Sequence, residues 1–208
     1  MACRLLLLAA ALVACDARAA VLTRPGGATD GAEGCPVAGL TARCPPFTHK
    51  RHCGHSDESC AVRTYEAGDW ATTDVGDAAR LETAAARGAA RLAAYARGAN
   101  EAGVVLDPTA PTVVGFKTDS KFGRAHGFRA SLWVAPAASG NAGPPAPTDD
   151  KVKVKSFDSN TYAVANWTGG IATQGVVLEK AKALADALED GSAAGRTRRH
   201  HKKESHAV

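Results

Sequence analysis

CAVRTYEAGDWATTDVGD (residues 60–77), followed by AARLETAAARGAARLAAYARGAN (78–100), is the stretch on which the reading of the fold turns. In its first half, Ala61 to Glu66 and Trp70 to Val75 are rich in Val, Tyr, Trp and Thr, residues that suit a pleated, half-buried surface. Ala67-Gly68 between them predicts a tight turn, so the two strands read as a hairpin. In the second half, Leu81, Ala85, Ala89, Leu92 and Ala96 recur at steps of three and four, which gives a helix from Asp77 to Arg97 with one small apolar face. Asp77 is placed to accept from the free amides of the first turn, and Gly98 stands just past the end, where a left-handed residue stops a helix. Arg80, Arg87 and Arg91 line a different face.

Towards the C-terminus, a loop from Asn100 to Pro111 leads to two apolar runs, Thr112 to Lys117 and Phe128 to Ala135. A polar, glycine-containing turn separates them, and a second hairpin follows. Pro136 to Pro147 is a stiff linker. Lys151 to Phe157 alternates Lys and Val as a half-buried strand does, and Tyr162 to Thr168 reads as its partner. Ile171 to Glu189 is helical, with Val177, Ala181, Leu184 and Leu188 on one face and Gly191 after it. Hairpin, helix and hairpin are thus followed by hairpin and helix, and the second unit stops before its last two strands. Residues 192–208, with Arg196, Arg198, Arg199, Lys202 and Lys203, form a basic tail read as a solvated, disordered end.

Towards the N-terminus, Arg4, the apolar run Leu5 to Ala14 and the small residues of Ala17-Arg18-Ala19 predict a signal peptide removed after Ala19. The apolar run is shorter than the roughly 20 residues that cross a bilayer. The expected location is outside the cell or in the secretory lumen. Leu12-Val13-Ala14-Cys15 gives the alternative, a lipid anchor at Cys15 in a bacterial host. Residues 20–59 show no helical or strand period and read as a Gly/Pro-rich loop. Cys35, Cys44, Cys53 and Cys60 are disulfide candidates for stapling it, with three pairings open. His49, His52 and His55 leave zinc as the alternative.

The chain is 45% hydrophobic and 22% charged, as a soluble globular protein is. Its net charge of +4 is concentrated in the tail, so the near-neutral body offers no nucleic-acid surface. No paired carboxylates, Ser/His/Asp spacing, HExxH or phosphate loop point to an enzyme.

Over residues 60–191 the chain resembles the SOUL/haem-binding protein family. The likeness is carried by Tyr65-Glu66 and Gly68-Asp69-Trp70 in the opening strands, by Tyr95-Ala96-Arg97-Gly98-Ala99-Asn100, and by Thr109-Ala110-Pro111. Leu132-Trp133-Val134-Ala135-Pro136, Pro144-Pro145-Ala146-Pro147-Thr148-Asp149 and Val164 to Gly170 continue it. The resemblance implies an α+β fold: a distorted antiparallel β-barrel from two hairpin-helix-hairpin repeats, flanked by two α-helices, here with the second repeat incomplete. It further implies a non-catalytic carrier that holds haem or another tetrapyrrole non-covalently in an open apolar groove beside the first helix.

A porphyrin is flat and apolar, with carboxylates at one edge, so it needs an apolar wall and a few cations. Ala89, Leu92 and Ala93 would form the wall, and Arg87 or Arg91 would meet the propionates. Ala89 and Ala93 stand where the family usually offers bulkier residues, so the expected groove is wide. The alternative role for this stripe is packing on the sheet. No axial iron ligand is assigned; His126, in a hairpin loop, is read as solvated. Alternative functions are a module binding another apolar ligand or a protein partner, and an enzyme processing iron tetrapyrroles. The incomplete repeat leaves sheet edges that either a second copy of the chain or the stretch Cys35 to Cys60 would cover, unless the sequence is truncated.

Overall fold

The computed structural model describes residues 35–37, 40–52, 60–109, 112–136, 143–165 and 172–188. In chain order the elements are β1 (Cys35–Val37), β2 (Leu40–Ala42), β3 (Phe47–His52), β4 (Cys60–Tyr65), β5 (Gly68–Asp74) and α1 (Leu81–Ala96). They continue with β6 (Thr112–Thr118), β7 (Ala125–Trp133), β8 (Val152–Phe157), β9 (Asn160–Ala165) and a second helix, α2, over 174–188. β1 and β2 form a small ribbon, β3-β4-β9 a three-stranded sheet and β6-β7-β5-β8 a four-stranded one. Every pairing between these strands is antiparallel. The α+β class with antiparallel sheets and two helices is as expected, and among the described residues the sheets do not close into a barrel.

From β4 to β9 the strands lie close to where the sequence puts them, but two expected hairpins are absent. β4 and β5 do not pair with each other; β4 pairs with β9 and β5 with β8. One register runs through both pairings. Partners step evenly from Cys60↔Ala165 to Tyr65↔Asn160 and, across a two-residue break, from Gly68↔Phe157 to Thr73↔Val152. β4–β5 and β8–β9 are therefore two long strands of one ribbon, each passing from one sheet into the other. At the break, Glu66 N donates to Pro46 O and Ser159 Oγ to Tyr65 O, so those groups bond sideways rather than closing turns. The β6–β7 hairpin forms as expected.

The segment from Cys35 to Cys60 is not wholly a loop. It contributes β1, β2 and β3, and β3 forms the real first hairpin with β4. Phe-Thr-His-Lys-Arg-His lacks an alternating pattern because β3 is an edge strand whose ladder is supplied by its neighbour. This segment thus covers the edge of β4, while β9 borders the sheet on the other side. The signal-peptide segment 1–19, the tail 192–208 and the side chains of Cys35, Cys53 and Cys60 lie outside the described residues.

α1 starts four residues later than expected, at Leu81 after Arg80, and Asp77 does not cap it. Asp77 instead pairs with Arg87 at 3.1 Å. The Leu81 amide donates to the Gln174 side chain of α2, at 3.1 Å. Gly98 takes φ +111° at the C-terminal end, the left-handed conformation foreseen for it.

The main core lies between α1 and the four-stranded sheet, where Leu81, Ala84, Ala85, Leu92 and Tyr95 meet Ala71, Val114, Phe128, Ala130, Leu132 and Val152. Val177 and Leu178 of α2 join it. Further along α2, Leu184 packs with Val62 and Ala163 of the three-stranded sheet, a second core. α2 therefore spans both sheets, on the face the sequence assigned to it.

Candidate functional site

A helix advances about 100° per residue, so the faces of α1 follow from its buried residues. Leu81, Ala84, Ala85, Gly88, Leu92 and Tyr95 form the stripe turned to the sheet. Leu92, expected in an open wall, is 1% exposed and belongs to the core. Tyr95 beside it donates its hydroxyl to Pro145 O at 2.8 Å. Burial, and then the negative charge of Asp69, push the Tyr95 phenol above its ordinary value.

The two expected propionate partners are engaged elsewhere. Arg91 Nη1 donates to Thr73 Oγ1 and to Asp74 O, both at 3.2 Å, which fixes that flank of α1 over β5. Arg87 is exposed and bonded to Asp77. Ala89 and Ala93 are each two residues from Arg91, about 200° round the helix, and so lie on the other flank. Both are half-buried. Because Gly88 rests on Ala130 of the central strand β7, and β5 and β6 lie on opposite sides of β7, that flank is turned to the β6 side. The structure thus separates the expected wall from the expected arginines.

What remains is an alanine stripe, Ala89, Ala93 and Ala96, one above the other at steps of four and three. The basic residue beside it is Arg97, exposed, with Nε donating to Ala93 O at 3.1 Å. Ala96, Leu106 and Phe116 are partly buried against the core below. At the C-terminal end of α1 the chain folds back, and Leu106 N donates to Ala96 O at 2.8 Å. Asn100, 4% exposed, holds this loop, giving Nδ2 to Tyr95 O and Val104 O and accepting from Val104 N. Val104 and Val105 project from it, 46% and 74% exposed. Sequence reading passed over them inside a loop; the available signal was an apolar triplet, Val104-Val105-Leu106, in a turn-rich segment.

Two other places gather polar or aromatic side chains. His126 is exposed and opposite Lys117, with Asp119 and Arg124 around a shallow depression. Phe116 and Phe128 beside that pair turn towards α1, so His126 faces away from the alanine stripe. On the three-stranded sheet, Phe47, Tyr65 and Tyr162 form a row with ring centroids 5.4 and 5.9 Å apart. The Arg63 guanidinium lies 4.6 Å from the Phe47 ring centre. Among the described residues no group of three His, Cys, Asp or Glu side chains is placed to hold a metal ion.

No curated protein matches the chain. The family model for SOUL heme-binding proteins matches residues 42–207, which takes in both sheets from the end of β2 onward and both helices. With the ordered motifs, the paired helices and the two antiparallel sheets, that match places the protein in the SOUL heme-binding protein family.

Proposed function

We propose that this protein binds haem or another tetrapyrrole without a covalent bond, one face of the ring lying on the Ala89, Ala93 and Ala96 stripe of α1. The observation that carries the proposal is the family match, which spans the whole helix and the strands beneath it. The stripe fits the group. Alanine ends at Cβ, so a rigid plane can approach the helix along two turns without displacing a side chain, and apolar contact is favourable by about 25 cal/mol per Å² buried. Arg97 supplies the cation for a propionate, in place of Arg87 and Arg91, and its exposed position lets it form that bond without breaking an ion pair.

Export as a carrier belongs to the same proposal. Residues 1–19 read as a signal peptide, residues 60–191 as the binding domain, and residues 192–208 as a solvated tail. Cys44 is disulfide-bonded, which supports an oxidising compartment and the stapling of the segment before β4. Titrating hemin into protein beginning at Ala20 tests the binding. A saturable Soret shift is expected, and a spectrum equal to that of free hemin at every ratio overturns the proposal.

A further inference from the structure

We propose that Val104 and Val105 are the apolar lip of the same site, closing over the edge of the tetrapyrrole at the C-terminal end of the alanine stripe; this rests on the reading just given. The argument begins with what the helix lacks. Three alanines offer a flat but shallow surface, with little area to hold a ring in water. Apolar bulk stands next to the last of them, on the segment that folds back to Ala96 at the end of α1. Val105 is 74% exposed and Val104 46%, and among the described residues only Phe47 and Phe157 are other large apolar side chains left exposed.

Their exposure is imposed by the backbone. Val104 is fixed at both its N–H and its C=O by the Asn100 side chain, which is itself buried. Leu106 is fixed by its amide to Ala96 O. Val105 lies between these two anchors and has no freedom to fold inward. Gly98 and Gly103, both with positive φ, permit the tight return, and it is this backbone conformation rather than crowding that disfavours a side chain at either position. The Leu106–Ala96 bond places the lip at the stripe, since Ala96 is its last member.

A preformed apolar lip binds without an ordering cost, because its conformation is already set in the free protein. The stripe would then cover one face of the ring and the lip its apolar edge, with Arg97, one residue beyond Ala96, at the polar edge. Neither Val104 nor Val105 belongs to either apolar core of the described residues, so replacing them should alter ligand binding more than stability.

Hemin titration of the full chain and of its V104S/V105S variant, followed at the Soret band beside thermal unfolding, tests the lip. Binding about tenfold weaker with an unchanged unfolding midpoint is expected, and V105F should tighten binding. If the wild type binds and V104S/V105S binds equally well, the lip is wrong and the stripe stands. If the wild type shows no Soret shift, the tetrapyrrole reading fails, and the lip with it.

Discussion

Glu82 and Gln174 cap each other's helices. Gln174 N, in the first turn of α2, donates to Glu82 Oε1 at 2.8 Å, and Gln174 Oε1 accepts from Leu81 N in the first turn of α1 at 3.1 Å. Free amides at both N-termini are satisfied by one exchange centred on two residues 92 apart in the chain. The Glu82 carboxylate also lies at the positive ends of two helix dipoles. Replacing either residue by alanine should cost roughly 1–2 kcal/mol, the ordinary cost of a lost cap. Because the two bonds form one unit, the double variant should lose less than the two singles combined. Urea unfolding of the four proteins measures this, and strict additivity would disprove the clasp.

Gly88 sets how closely α1 lies on the sheet. Glycine within a helix costs about 1 kcal/mol relative to alanine, so its place among the alanines of α1 calls for a packing reason. A methyl group at Gly88 would overlap the Ala130 side chain on β7. Gly88→Ala should therefore destabilise by roughly 1–3 kcal/mol despite its better helix propensity. Gly88→Ala with Ala130→Gly should recover much of that loss. A single variant as stable as the wild type would show that helix and sheet separate without cost.

Local patterns made the helices, the β6–β7 hairpin and the Gly98 terminus readable, because period, turn residues and a left-handed cap are properties of short segments. Strand partnership is not such a property. Glu66-Ala67 reads equally well as a reversal or as a bend, and the choice rests on β8 and β9, some ninety residues away. The same holds for the first turn of α1: Asp77 is a good cap by sequence, yet Gln174 reaches the helix end and Asp77 is left to Arg87. The separation of Ala89 and Ala93 from Arg91 was legible from helical geometry alone, while the burial of Leu92 required the sheet beneath it.

Tyr95 ties α1 to the segment before β8, and its burial gives stability a pH dependence. The phenol is 1% exposed and donates to Pro145 O. Its folded value lies above 10.0, raised first by burial and then by Asp69. The stability it contributes is whole below the unfolded value of 10.0 and is lost as pH rises through the folded value. Tyr95→Phe should lose about 1 kcal/mol near neutrality. That deficit should shrink as pH rises above 10.0, where the wild type must either keep a neutral phenol or bury a phenolate. Urea midpoints for both proteins across that range provide the check, and a deficit independent of pH would assign the bond no part in alkaline unfolding.

The position of the ring can be decided between flanks of one helix. If it lies on the alanine stripe, Ala93→Asp places a carboxylate under the macrocycle and should weaken hemin binding at least about tenfold, with a smaller effect on stability because Ala93 lies outside the buried stripe of α1. Arg97→Ala should weaken it several-fold by removing the propionate partner. Arg87→Ala should leave binding within about twofold, since its exposed pair with Asp77 lies on the far flank. Arg91→Ala should act on stability through the lost bonds to Thr73 and Asp74 rather than on the ligand. The opposite ranking, with Arg87 and Arg91 needed and Ala93→Asp silent, would move the ring to the β5 side of α1. Binding lost in Phe47→Ala while all four helix variants bind normally would move it to the aromatic row on the three-stranded sheet, where Arg63 would be the cation.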